Sequence, residues 1–143
     1  MYPCKQELVK VSLRYGVKYP TTKFFRDRGI AGCRHHGIDL CPKDPECGDI
    51  YLTAPVAGTV IRVDKHRQYG WQVRIKSSED DGERIHILAH MKIKPYVKWG
   101  QAVSKGTLIG IMGSSGTSTA RHLHYEVRVA GTLKRVNPGI YLT

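Results

Sequence analysis

Two stretches of this chain combine side chains of the kind that bind divalent metals. The first is His122-Leu123-His124-Tyr125-Glu126-Val127-Arg128-Val129. Successive side chains on a β-strand point to opposite faces, so His122, His124, Glu126 and Arg128 share one face. Leu123, Tyr125, Val127 and Val129 share the other, which is the expected core side. Two imidazoles at i and i+2 on one polar face can aim at a common centre, as metal ligands do. The second stretch is His35-His36-Gly37-Ile38-Asp39-Leu40. Read as a strand, it sends His35, Gly37 and Asp39 one way and His36, Ile38 and Leu40 the other. Gly37 argues against a helix and leaves open space between the two ligating groups. His35 and Asp39 are therefore the expected pair, with His36 a bystander.

Three ligands of mixed histidine and carboxylate type leave a fourth zinc position for water, the arrangement of catalytic rather than structural sites. Zinc would lower the pKa of that water from about 15.7 toward ~7 and polarise a carbonyl. Proton traffic needs a base and an acid, and neutral imidazole suits both near pH 7.

The elements that must position these groups read as short strands between glycine turns. Gly58–Val63 follows the breaker Ala54-Pro55, and Trp71–Lys76 alternates apolar and polar residues. Arg84–Met91 follows the polar turn Ser77–Gly82. Val103 and Leu108–Met112 flank the turn Lys105-Gly106, and Asn137-Pro138-Gly139 forms a last turn. Only residues 5–15 have the pattern of a short helix. No repeat or linker divides the chain. The expected class is mainly β: an antiparallel sandwich or open-barrel core with a loop-lined groove.

A chain of 143 residues suits one domain with a core of its own. No apolar run approaches the ~20 residues that cross a bilayer. Met1–Lys5 lacks the apolar stretch of a secretory signal, so export by another route or removal of a leader is expected. The 23 Lys and Arg against 12 Asp and Glu give a net charge of +11, which favours anionic partners. Residues 1–30 carry seven of the basic groups together with Tyr2, Tyr15, Tyr19, Phe24 and Phe25. A base-stacking surface is one reading. No nucleic-acid motif accompanies the charge, so an extension that packs its aromatics on a domain of residues 31–143 is preferred. Cys4, Cys33, Cys41 and Cys47 permit disulfides, and a bridge from Cys41 to Cys47 would close the loop Pro42–Glu46. Buried free thiols fit as well.

His35-x-x-x-Asp39 followed by His122-x-His124 resembles the M23 metallopeptidases of the lysostaphin and LytM type. The resemblance runs from about Ala31 to Tyr141. It takes in Ala54–Val60, Tyr69-Gly70, Ala89-His90-Met91, Val97–Gly106, Ile109-Gly110 and Gly113–Ser118. It implies a lysostaphin-like β core and one zinc ion per chain, held by His35, Asp39 and His124. His90 and His122 match the two catalytic histidines. The implied reaction is hydrolysis of peptide bonds in bacterial peptidoglycan, at the cell wall or in the periplasm, by a monomer that needs no nucleic acid and no membrane span. Its charge would hold it on anionic wall polymers, and a compact basic lytic domain of this kind suits a phage lysin or a released antimicrobial enzyme. The rival is an inactive wall-binding or hydrolase-activating relative, which typically lacks metal ligands; here all five positions are intact.

Two departures stand out. The tyrosine that family members often carry upstream of the first ligand has no match in Arg28–Gly32, which leaves Tyr69 or Arg34 as substitute donors. No long pro-segment supplies a side chain to the fourth zinc position; Cys4 is a weak substitute. His36, His66 and His86 match no functional position and are expected to be surface or packing residues. Glu126 is either an acceptor that orients a histidine or a solvated charge.

Overall fold

Alternation of apolar and polar side chains produces ten strands in the computed structural model, which describes all of Met1–Thr143. They are β1 (Val9–Leu13), β2 (Gly37–Pro42), β3 (Tyr51–Thr53), β4 (Gly58–His66) and β5 (Gly70–Glu79), then β6 (Gly82–Met91), β7 (Ala102–Val103), β8 (Leu108–Ile111), β9 (Leu123–Val129) and β10 (Arg135–Val136). The main sheet has the order β1-β2-β9-β6-β5-β4-β7, and β10 pairs with the far end of β9, beyond the reach of β2. All of its pairings are antiparallel. β3 and β8 form a separate two-stranded sheet. The architecture is therefore an open sheet and not a closed barrel.

The core lies between the main sheet and this small second sheet. Val60, Val73, Ile75, Leu88, Leu123 and Tyr125 meet Ile50, Leu52, Ile109 and Met112, all fully or almost fully buried. Burial of such side chains contributes about 1.5–3 kcal/mol each, enough for the long strands to hold the shorter ones in register.

The short helix expected within residues 5–15 is not there. A single 3-10 turn at Gln6–Leu8 leads into β1, because Val9, Val11 and Leu13 alternate and β1 pairs with β2. The α-helix forms instead at Lys23–Asp27 (α1). Five residues are too few for a helical period to show in sequence. β2 begins at Gly37, so His35 precedes the strand and is fixed by other means. The cysteines are free thiols. In place of a Cys41–Cys47 bridge, the Arg121 guanidinium donates to the Cys47 and Gly48 carbonyls at 2.9 and 2.7 Å and fastens this loop. Cys4 is buried, and burial pushes its thiol up to about 12.

Candidate metal centre and active site

β9 lies between β2 and β6, and its register sets the centre. Asp39 is the cross-strand partner of His124 on one side, and Ala89 is its partner on the other. Asp39 and His124 are thus neighbours on one face because the sheet pairs them.

His35 arrives from outside the sheet. Its backbone N–H donates to the Val17 carbonyl at 2.8 Å, and its own carbonyl accepts from Gly16 at 2.8 Å. Residues 16–19 thus run against residues 33–35 and clamp the imidazole over Asp39. The edge of the Tyr19 ring packs against His35 with centroids 5.6 Å apart. His35 Nε2 lies 3.1 Å from Asp39 Oδ1 and 3.2 Å from His124 Nδ1, and His124 Nδ1 lies 2.8 Å from Asp39 Oδ1. His35, Asp39 and His124 form a group able to hold a metal ion. The edges of this triangle are close to the roughly 3.3 Å separation of tetrahedral ligands with bonds of ~2.0–2.1 Å, so the donor set fits zinc.

Hydrogen bonding decides which nitrogen of each imidazole is free. A backbone carbonyl can only accept, so a ring nitrogen bonded to one carries the proton. His35 Nδ1 lies 3.1 Å from the Arg14 carbonyl, which leaves Nε2 as a lone pair facing the cluster. His124 Nε2 lies 3.1 Å from Glu126 Oε1, so the proton there faces a carboxylate and Nδ1 is directed at the cluster. Both arrangements are those of metal-bound histidines, whose second nitrogen donates to a carbonyl or carboxylate.

His90 and His122 stand beside this group, with ring centroids 4.7 Å apart; His90 is 6.1 Å from the His124 ring. Strict alternation after Leu88 and Ala89 would send His90 to the core side. A β-bulge prevents this. Trp71 pairs with Met91 and Val73 with Leu88, so Gln72 opposes two residues, Ala89 and His90. His90 has a φ of 62°, the one non-glycine residue in the left-handed region. Bulges re-aim side chains beside functional sites, and a backbone in this region costs about 1–3 kcal/mol that surrounding contacts must offset. Here the His90 N–H donates to the Tyr69 carbonyl at 2.7 Å, and Nδ1 meets the Ser115 carbonyl at 2.7 Å. His122 Nδ1 lies 2.9 Å from the Ala120 carbonyl. Both residues therefore present Nε2 as a free acceptor.

Burial, reinforced by neighbouring His122, pulls His90 down to about 4, so it is neutral at pH 7. Burial alone would raise the Asp39 carboxyl, yet hydrogen bonds from His124 and His35 outweigh it and hold it well below the usual range. Glu126 behaves likewise: burial opposes ionisation, but His124 and Arg128 bring it down to about 2.

The two expected substitute donors have partners within the chain, which occupy the Tyr69 hydroxyl as donor and acceptor and Arg34 at one nitrogen. The Tyr69 hydroxyl donates to Glu126 at 3.0 Å and accepts from Arg128 at 2.9 Å. Arg34 donates to the Gly16 carbonyl at 3.0 Å. Tyr19 packs on His35 as Tyr69 does on His124; burial, with Asp39 and Glu126 nearby, pushes the Tyr19 phenol far up. Its sequence position offered only a place among the aromatics of the first thirty residues. Ser115 was visible only as part of Gly113–Ser118. Of the unmatched histidines, His36 is exposed and His66 caps a turn by accepting from the Gln68 and Tyr69 N–H groups. His86 is a packing residue, buried between Tyr125 and Ser77. Two hollows of about 860 and 360 Å³ meet at Tyr19, His90 and His124 and form a groove across the cluster.

Fold and site together define an open-sheet β protein with a preorganised His–Asp–His cluster at the floor of a groove. Residues 34–138 match the model of peptidase family M23. The chain is 39% identical over 104 residues to an uncharacterized metalloprotease of Haemophilus influenzae, covering 73% of this chain and 20% of that protein. It is 33% identical over 103 residues to lysostaphin of Staphylococcus simulans, covering 68% of this chain and 19% of lysostaphin. The chain thus spans about a fifth of the length of these relatives. The solved catalytic domain of that lysostaphin superposes with a TM-score of 0.70 at 29% identity, covering 93% of this chain and 91% of that one.

The chain belongs to peptidase family M23, and its fold is that of the lysostaphin and LytM type.

Proposed function

We propose that this protein is a zinc-dependent endopeptidase that hydrolyses cross-links or stem peptides of bacterial peptidoglycan. The observation that carries the reading is the tautomer pattern. Four histidines each have one nitrogen fixed by a carbonyl or carboxylate, and the second nitrogens of His35, His122 and His124 lie within 3.9 Å of the Asp39 carboxylate. A merely structural cluster has no need to fix four imidazoles in one place. We assign His35, Asp39 and His124 as ligands and His90 and His122 as the proton-handling pair.

Zinc, when bound, would supply the Lewis acidity that polarises the scissile carbonyl and eases deprotonation of water. His90 is neutral at pH 7 and accepts a proton at Nε2. His122 stands beside it, with its Nε2 3.9 Å from Asp39 Oδ2. Once protonated, either imidazole can donate to a developing oxyanion or return the proton to the leaving amine. The two adjoining hollows across the cluster would take an extended peptide. Residues 1–30 serve as one wall of it rather than as a separate domain, and the site of action is the cell wall or periplasm. The +11 charge favours retention on anionic wall polymers, an attraction weakened by salt.

The test is digestion of purified peptidoglycan, with released termini identified by mass spectrometry and zinc measured in the same preparation. His35→Ala or Asp39→Ala is expected to abolish both zinc binding and release. Persistent cleavage by either variant would overturn the assignment. Zinc binding without any cleavage by the native protein would favour a wall-binding relative instead.

A further inference from the structure

The larger hollow of the groove has an unbalanced wall. Arg28, Arg34 and Arg67 line it, with His36 and His66 beside them. Its acidic residues are Asp27 and Glu126, and each is already paired. Asp27 meets Lys23 at 2.6 Å, and Glu126 is bound by Arg128, His124 and the Tyr69 hydroxyl. None of the three arginines takes part in an ion pair within the chain. Arg28 is ordered without being neutralised. Its guanidinium stacks 3.4 Å over the Phe24 ring, and Nη1 donates to the Phe24 carbonyl at 2.8 Å. Arg34 spends Nη1 on the Gly16 carbonyl. A guanidinium has five N–H donors, so both keep most of theirs for a ligand.

We infer that the peptide segment lying in this hollow carries a free carboxylate, recognised by Arg28, Arg34 and Arg67. The inference rests on the peptidase reading and narrows its substrate class. A neutral, glycine-rich strand would leave three hydrated guanidinium groups with nothing to bind. A carboxylate accepts charge-assisted, bidentate hydrogen bonds from the same groups. The smaller hollow shares Arg28 and adds Arg121, but Leu13, Phe24 and Phe25 line it too, whereas Arg34 and Arg67 belong to the larger hollow alone, so the acidic preference is centred on the larger arm.

The test uses cross-linked peptides in pairs, identical except that one carboxylate near the scissile bond is free or converted to a primary amide. The carboxylate is moved along both sides of the bond. Turnover is measured with the zinc-loaded protein, and binding is measured by calorimetry with analogues whose scissile amide is replaced by an uncleavable link. At one position the acid is expected to bind and react about tenfold better than its amide, a preference that shrinks with added salt. Arg67→Gln and Arg28→Gln should each bring that ratio toward one through KM. Lys43→Gln, which removes the same charge from an exposed loop outside the groove, should leave it intact. Equal binding of acid and amide at every position would overturn the inference, as would a preference surviving in both arginine variants. Displacement from the groove by polyglycerol phosphate, with no acid preference among peptides, would also overturn it and point to a wall polymer. Failure of the peptidase reading is distinct: neither peptide is cut, whatever the binding shows.

Discussion

His124 Nε2 lies 3.1 Å from Glu126 Oε1, two residues further along β9 on the same face. The bond spans one pleat of one strand, and it points the opposite nitrogen, Nδ1, at Asp39 and His35. Glu126 is in turn held by Arg128 and Tyr69, so the imidazole has little freedom to turn. The carboxylate orients a ligand without itself facing the cluster.

Glu126→Gln keeps the shape and weakens the acceptor. Zinc affinity is expected to fall about 10- to 100-fold, the usual effect of removing such a partner. Competition with a chromogenic chelator reads this directly. An unchanged affinity would mean that the Glu126 contact has no part in orienting His124.

Zinc uptake should release a proton near pH 7.5. In the metal-free protein, burial would lower His124, but its bonds to Asp39 and Glu126 outweigh this and raise it to about 9. Because that pKa is raised, the ring holds its extra proton below pH 9, and zinc at Nδ1 must displace it. Calorimetry in buffers of different ionisation enthalpy should show about one proton released between pH 7 and 8, declining as the pH passes 9.

Gly37→Ala is expected to displace His124. A Cβ at Gly37 would collide with the Tyr125 carbonyl and lie 2.8 Å from His124 Cε1. The glycine between the two predicted ligands does leave space, and the ring of the third ligand fills it. Overpacking of this kind costs about 1–3 kcal/mol, and zinc affinity should fall with stability. Gly48→Ala, where a Cβ meets nothing within 4 Å, should change neither. Equal melting temperatures for the two variants would contradict the packing.

His122→Ala is expected to retain zinc while kcat falls by about 10²–10⁴-fold, the range for a removed acid–base group. Parallel loss of zinc and turnover would instead make His122 part of the metal-holding set. His90→Ala should lose turnover similarly, and it also removes the side chain that helps hold a left-handed backbone.

Acid should weaken the fold through His86. Burial, aided by neighbouring Arg84, lowers this imidazole to about 4. A depressed histidine adds stability that is present above its unfolded pKa of about 6.5 and is lost as pH falls through 4. The amount is up to about 3 kcal/mol for a shift of this size. His86→Gln, which does not titrate, should show a shallower loss of stability between pH 6.5 and 4 in urea melts. Identical slopes would remove His86 from the account.

The chain's own order of residues determined which groups could do chemistry. The shared face of His124 and Glu126 on β9 survives folding because a strand's period of two is a local property; His35 and His122, each just outside a strand, reach the cluster through the backbone bonds of His35 with residues 16 and 17 and the bridge of His122 to Gly113. The β class was legible for the same reason in Trp71–Lys76 and Leu123–Val129. What sequence could not determine depends on contacts between distant residues. The bulge opposite Gln72 that turns His90 toward His122 exists only because β5 and β6 pair out of step. The role of Tyr19 arises from residues 16–19 lying against 33–35, and the absence of a helix before residue 15 from the pairing of β1 with β2. Burial of Glu126 and His124 needs a roof that β9 does not encode. Periodicity assigns a side chain to a face; only the assembled sheet and its loops decide whether that face meets water, another strand or an imidazole.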